Sequence, residues 1–355
     1  MNIIISGTGS YIPEQVVTDQ DFLSARFYEE DGTPIERSPE EIVNKFKAIT
    51  GIEERRYIKP GQVSSDIATI AAQRAIADAG IDPESIDGII YAHNFGNIPI
   101  GTVQSDIVPS LASRVKHSLQ IRNPDCTAYD VLYGCPGWIQ GVIIARQFIL
   151  SGDARRILVI GSETLSRVID PHDRDSMIYA DGAGATIIEG REESQRRGIL
   201  SVASQTHAAD EAYYLYYDRS YNKSHEPNTR YIKMHGRKIY EFALTNVPKA
   251  MKQCLDKSGV PVTELTKILI HQANEKMDEA IIARFFKLYG IKDLPHAVMP
   301  MSIDKLGNSS VATVPTLYDL IMKGNLEGHE LHPGDVVLMA SVGAGMNINA
   351  ITYRI

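Results

Sequence analysis

Four short aliphatic runs, Asp87–Ala92, Arg156–Ile160, Lys267–Ile270 and Asp335–Ala340, limit the folds open to this chain more than any other feature. None alternates polar with apolar side chains, so each suits a strand covered on both faces, as in sheets flanked by helices. Helical patterns lie between the runs. Ser64 to Gly80 is one: it opens on Ser-Ser-Asp, sets Ile67, Ile70, Ala71 and Ala75 along one side, and meets a glycine that can stop it. The expected class is α/β.

The same order of features occurs twice. Ile89–Ala92 leads to His93 and Asn94, Gly134-Cys135 then opens an apolar helical segment, and the run from Arg156 ends in Gly161-Ser162-Glu163. In the second instance Ile268–Ile270 leads to His271 and Gln272, Gly307-Asn308-Ser309-Ser310 opens another apolar stretch, and the run from Asp335 ends in Ser341-Val342-Gly343. His93 to Cys135 spans 42 residues and His271 to Asn308 spans 37. Two copies of one α/β unit, residues 1–190 and 191–355, would bring these strand and helix ends into one central crevice. Residues 26–45 and 208–230 are polar and read as loops or an excursion over the core. Tyr213, Tyr214, Tyr216 and Tyr217 suit either a docking surface or the packing of a lid.

Bulk properties narrow the function classes. Lys plus Arg is 36 against 44 for Asp plus Glu, and a net charge of −8 argues against a general nucleic-acid binder. Met1 to Gly7 lacks a basic segment and reads as a first strand, not a signal peptide. No apolar run approaches the roughly 18 residues that cross a bilayer, so no membrane span is expected. The cysteines at 126, 135 and 254 have no metal-ligand spacing, so no metal is expected, and their odd number gives no disulfide framework. A reducing cytoplasm is the compartment that suits free thiols.

Cys135 stands in Tyr133-Gly134-Cys135-Pro136-Gly137-Trp138, ahead of a segment apolar on nearly every face. Pro136 suits a first helical turn, which would put the thiol at the positive end of a buried helix, where thiolate is favoured. An inert buried cysteine fits the same residues, and Cys126 and Cys254 keep that reading. His271 ends a buried strand, where it can face a crevice and polarise a carbonyl or exchange a proton; a structural histidine fits equally well locally. Asn308 suits a helix cap, or an uncharged donor to an oxygen that becomes negative. Ser341-Val342-Gly343-Ala344-Gly345-Met346 suits a tight turn or half of an oxyanion hole, but not a phosphate cradle, since no Lys-Ser/Thr pair follows at Walker spacing.

Together these motifs resemble the ketoacyl-ACP synthase III family of the thiolase superfamily: a Cys after small residues, His-Gln-Ala-Asn, Gly-Asn-Ser-Ser, then a Gly-rich loop. Thr50-Gly51-Ile52-Glu53-Glu54-Arg55-Arg56, Cys126 to Val131, Asp181-Gly182-Ala183-Gly184-Ala185 and Met234-His235-Gly236-Arg237 extend the resemblance over nearly the whole chain. It implies a duplicated αβαβα five-layer sandwich, the Cys in the half 1–190 and the His and Asn in the half 191–355, usually as a homodimer. It implies an acyltransferase of fatty acid biosynthesis and lipid metabolism with no bound cofactor. Cys135 would take an acyl group from acyl-CoA or acyl-ACP, substrates being thioesters of coenzyme A or phosphopantetheine. His271 and Asn308 would hold malonyl-ACP while carbon dioxide leaves, and the backbone of Cys135, Gly343 and Ala344 would hold the oxyanion.

Departures from the family pattern shape further expectations. The family's Trp and Arg before Thr-Gly-Ile fall at Lys45 and Ile49, so an acyl-ACP donor is as credible as acyl-CoA. Val108 takes a position where the family often has Phe, reaching into the partner's acyl pocket, and its smaller side chain implies a roomier pocket. Arg55, Arg237 and Lys276 are candidates for contacting the acyl carrier protein, against a scattered solvated set of charges. A relative from secondary metabolism (resorcinol, quinolone or polyene type), a ketosynthase-fold acyltransferase and a non-catalytic partner subunit are the competing readings.

Overall fold

The computed structural model describes all 355 residues. The first half contains, in order, β1 (Asn2–Tyr11), β2 (Gln15–Thr18), α1 (Pro39–Thr50), β3 (Glu54–Tyr57), α2 (Ser64–Ala79), β4 (Gly88–His93), α3 (Leu111–Ser118), β5 (Thr127–Leu132), α4 (Gly137–Ser151), β6 (Arg156–Thr164) and β7 (Asp181–Arg191). The second contains β8 (Gly198–Thr206), β9 (Leu215–Arg219), β10 (Arg230–Met234), α5 (Gly236–Ser258), β11 (Leu265–Ile270), α6 (Glu275–Lys287), α7 (Ile303–Leu306), α8 (Thr313–Met322), β12 (Val336–Gly343) and β13 (Asn347–Arg354).

The two halves are built alike. β1 pairs antiparallel with β7 and β7 with β6, after which β6, β4 and β5 run parallel. Likewise β8 pairs antiparallel with β13 and β13 with β12, while β12 runs parallel with β11. The half-sheets join through a single residue pair, Ile3 with Gly198. At that join a Cβ on Gly198 would stand 2.1 Å from the Ile3 carbonyl oxygen, and the glycine has φ +78°, so only glycine fits.

Hydrophobic contacts stack these parts into five layers. α2 and α3 cover the outer face of the first half-sheet, through Ile67, Ala71, Leu111 and Val115. α5 and α6 cover the outer face of the second, through Val247, Met251, Ile281 and Phe285. Between the sheets lie α4 and α8, whose Trp138, Val142, Leu317 and Tyr318 meet Val159 of β6 and Met339 of β12. That central position explains why both helices are apolar nearly all round, and each fully buried aliphatic side chain there contributes about 1.5–3 kcal/mol. The layering is the αβαβα sandwich expected from the sequence.

Local detail departs from expectation in two places. Residues 26–45 are not all loop: α1 begins at Pro39, with Ser38 as its cap. The Glu41 N–H donates to Ser38 Oγ at 3.2 Å and the Ser38 N–H to Glu41 Oε2 at 3.3 Å. Ser38-Pro39-Glu40-Glu41 is a legible helix start that the polar composition obscured. α2 does end on Gly80 in the left-handed region, but its start is capped by the Asp66 carboxylate, which accepts the Val63 N–H at 2.9 Å.

The 208–230 excursion is the connection around the β9–β10 hairpin. Lys233 fastens it from a fully buried position: its ammonium meets Asp170 at 2.5 Å and Asp173 at 3.0 Å, and lies 3.4 Å from the Tyr221 ring centre. The hairpin therefore roofs the carboxyl ends of β6 and β11, and Tyr216 and Tyr217 face inward. Tyr213 is 80% exposed.

Candidate active site

β5 ends at Leu132, and the chain turns through Gly134 at φ +66° to present Cys135. A Cβ on Gly134 would come within 2.6 Å of the Ala344 nitrogen, and one on Gly343 within 2.5 Å of the Cys135 nitrogen. Two glycines thus let the segments carrying Cys135 and Ala344 touch. Pro136 is the N-cap of α4 and not part of its first turn, so Cys135 lies at the helix N-terminus as expected but one residue further ahead of it.

Cys135, His271 and Asn308 line one cavity of about 300 Å³, with Gly343 and Ala344 in its wall. Cys135 is half-buried, whereas the other two cysteines are buried. The expected gain of thiolate from the helix end does not prevail, because burial pushes the thiol up to about 11; the Ser310 hydroxyl pulls the other way and the Glu163 charge adds to the rise. Cys126 and Cys254 are buried in the core, away from the cavity.

His271 directly follows β11, its N–H donating to the Ala340 carbonyl at 2.8 Å. Burial pushes its imidazole down to about 4, against a smaller opposite pull from the Ser310 backbone. The ring is therefore neutral at ordinary pH. Its Nδ1 is buried without a hydrogen-bond partner, and the residue lines the cavity. His93, the equivalent of His271 in the first half, is structural: it accepts the Gly96 N–H at 3.0 Å and meets Asp130 at 3.1 Å.

Asn308 combines both roles open to it. Its Oδ1 accepts the Ser310 N–H at 2.8 Å, as a turn-forming cap would. That bond orients the amide, and Nδ2, which donates to no protein acceptor, is left for the cavity. The Asn308 backbone is pinned on both sides, its N–H to Ile178 at 3.0 Å and its carbonyl from Ala180 at 2.8 Å.

Two backbone donors are available beside the sulfur. The Cys135 N–H has no protein acceptor, and Ala344 opens a short turn whose first N–H has no carbonyl one turn back. Asn347 clamps the two segments: its Nδ2 donates to the Ala344 carbonyl at 2.8 Å and to the Tyr133 carbonyl at 3.4 Å. Its Oδ1 accepts from Thr206 Oγ1 at 2.6 Å. An uncharged hole of this kind stabilises a tetrahedral oxyanion without a fixed countercharge.

Apart from Tyr217, read from sequence as part of a lid or docking surface, the other residues of the site were not singled out from sequence. Ser310 Oγ lies 3.4 Å from Cys135 Sγ, backed by Asn94 and the fully buried Glu163, all within motifs already visible. Phe95 and Tyr217, ring centres 5.3 Å apart, and Ile232 make the cavity apolar. Phe95 lies 122 residues before Tyr217, and no local pattern joins them.

A larger outer cavity of about 910 Å³ shares Ile178, Met234, Ile239, Ala273 and Met277 with the inner one. Arg37, Lys45, Arg174 and Arg237 line it, together with Ile49 and three carboxylates. The Arg237 side chain is 91% exposed, and Lys276 is exposed on the first turn of α6. Arg55 is a correction: its side chain is wholly buried, ion-paired with Asp19 at 2.8 Å and donating to the Met177 carbonyl, so it cannot meet a carrier protein. Val108 is 82% exposed and lies outside this chain's own cavity.

The family model described as 3-Oxoacyl-[acyl-carrier-protein (ACP)] synthase III matches residues 129–208, and its C-terminal counterpart matches 255–355. The beta-ketoacyl-[acyl-carrier-protein] synthase III of Caldanaerobacter subterraneus is 34% identical, over 96% of this chain and 94% of that one. The enzyme of the same name from Staphylococcus haemolyticus is 32% identical, over 100% and 99%. The crystal structure of 3-oxoacyl-[acyl-carrier-protein] synthase III from Aquifex aeolicus superposes with a TM-score of 0.79 at 29% identity, covering 100% of both chains.

Proposed function

The chain belongs to the 3-oxoacyl-[acyl-carrier-protein] synthase III family, and on that premise we propose that Cys135 carries the acyl group while His271 and Asn308 handle the extender. The protein is a β-ketoacyl-ACP synthase III condensing enzyme, an acyltransferase. The single observation supporting the residue roles is that the thiol, the neutral imidazole, the free amide and two backbone donors line one cavity.

In the first step the Cys135 thiol attacks the donor thioester; its sulfur forms the new acyl bond, and its proton leaves with the carrier thiol. The tetrahedral oxyanion takes the N–H groups of Cys135 and Ala344. The malonyl thioester carbonyl then lies between His271 Nε2 and Asn308 Nδ2. Loss of carbon dioxide leaves an enolate oxygen on these two donors; the enolate carbon attacks the acyl-Cys carbonyl, the C–S bond breaks to release a β-ketoacyl thioester, and the Cys135 thiolate takes a proton from solvent. Neutral donors suit this step, because they gain strength only as the oxygen becomes charged.

The outer cavity is read as the entry for the phosphopantetheine arm of an acyl-CoA or acyl-ACP, with malonyl-ACP following the same route. Arg237 and Lys276 remain candidates for meeting the carrier. No helix is long and apolar enough to cross a membrane, and a cytoplasmic setting without a resident cofactor suits three free thiols. The division proposed at 190/191 cuts off the last residue of β7, Arg191, with residues 192–197 between it and the start of β8 at Gly198. A homodimer would pair the open edge of β5 and bring Val108 toward the partner's acyl pocket.

Intact-protein mass spectrometry after incubation with acyl-CoA and acyl-ACP donors tests the assignment. One acyl mass is expected per chain, lost in Cys135→Ser; an adduct that survives this substitution overturns it.

A further inference from the structure

We propose that Ser310 is a further catalytic residue, donating its hydroxyl to the Cys135 sulfur, and that Asn94 and Glu163 are positioning residues that aim it. The Ser310 hydroxyl lies 3.4 Å from Cys135 Sγ, and Asn94 Nδ2 lies 3.2 Å from Ser310 Oγ. Glu163 Oε2 accepts both from the Asn94 backbone N–H at 2.8 Å and from its Nδ2 at 2.7 Å. Burial pushes the Glu163 carboxyl up to about 7, yet Oε2 already accepts the Asn94 backbone N–H, so it faces the Asn94 amide as an acceptor whether or not Oε1 holds a proton, and the reverse amide orientation would set two oxygens together. The second Nδ2 hydrogen then points at Ser310. With its oxygen accepting from Asn94, Ser310 directs its only hydrogen to the sulfur.

Two features indicate that the arrangement serves chemistry. Ser310 holds φ +54°, an uncommon conformation for serine, and the Asn308 side chain holds it there through the Ser310 N–H. Glu163 is fully buried with no cation bonded to it, and its Oε1 has no partner at all. A buried carboxyl spent on orienting one amide is an expensive structural device. It also joins the halves, because Asn94 and Glu163 follow β4 and end β6, whereas Ser310 comes from the second half.

The chemical consequence follows from the cavity. The Cys135 sulfur carries negative charge once its proton has left and before it bonds to the thioester carbon, and the Ser310 O–H is the side-chain donor already in contact with it. No bond to Ser310 forms or breaks; the thiol proton still leaves with the carrier thiol. This inference rests on Cys135 being the acyl-carrying thiol.

Alkylation of Cys135 by iodoacetamide, followed by peptide mass spectrometry across pH 6 to 10, tests it on the whole enzyme. Ser310→Ala is expected to slow alkylation at pH 7 about tenfold and to displace the pH profile upward by about one unit. Ser310→Gly removes the hydroxyl and relieves the backbone, so it should do the same while folding at least as well. Asn94→Ala should shift the profile in the same direction, and Ser310→Ala/Asn94→Ala should be no slower than Ser310→Ala, because both act through one hydrogen bond. An unchanged profile in both folded Ser310 variants overturns the proposal, as does an additive loss in the double variant. Alkylation needs no acyl donor, so this outcome is separable from failure of Cys135 as acyl carrier, which the acyl adduct reads.

Discussion

Burial governs the titrating groups beside the reaction. It raises the Cys135 thiol to about 11 and lowers the His271 imidazole to about 4, in each case because the charged form loses water. Between pH 6 and 9 the imidazole stays neutral while the thiolate fraction climbs about tenfold per unit. The acylation burst, read by quench-flow and mass spectrometry, should therefore rise with pH; burial pushes the Glu163 carboxyl up to about 7, so an inflection near there is expected to vanish in Glu163→Gln, and one that persists in that variant would mean that His271 titrates. Asn308 acts one stage later. Asn308→Ala should keep the acyl adduct and lose carbon dioxide release by about two orders of magnitude, the scale of one oxyanion donor. Unchanged release of labelled carbon dioxide would refute its part in decarboxylation.

α1 supplies Lys45, Phe46 and Ile49 to the outer cavity, so its stability bears on substrate entry. Ser38→Ala removes half of its capping box and should cost about 1 kcal/mol in chemical denaturation. It should also raise KM for the carrier thioester with kcat little changed, because the wall is remote from Cys135; an effect confined to kcat would contradict this. The helix also shows where sequence reading fails at this scale. Residues 26–45 look like loop by polarity, yet Ser38, Pro39 and Glu41 carry a start signal that depends on position, not composition.

For the whole molecule, β5 is the open edge of a nine-stranded sheet, and Leu132 at its end is 65% exposed. An uncovered strand edge with apolar side chains invites pairing with another copy. Sedimentation should give a particle of twice 39.2 kDa. Leu132→Arg should shift it toward 39.2 kDa, and a wild-type monomer at micromolar concentration would defeat the homodimer reading. Much of the architecture was legible beforehand because it rests on local physics: doubly covered strands read as unbroken aliphatic runs, central helices as apolar all round, and the doubled order of strand, His and Gly-rich turn as a repeat. The same order singled out Cys135, His271 and Asn308, each at the end of such an element. Only the tertiary structure decided that Arg55 is a buried strut, that His93 is structural while His271 faces the cavity, and that Ser310, Asn94 and Glu163 converge on one sulfur. Those outcomes depend on burial and on hydrogen bonds between segments up to 216 residues apart, which no local pattern of residues can carry.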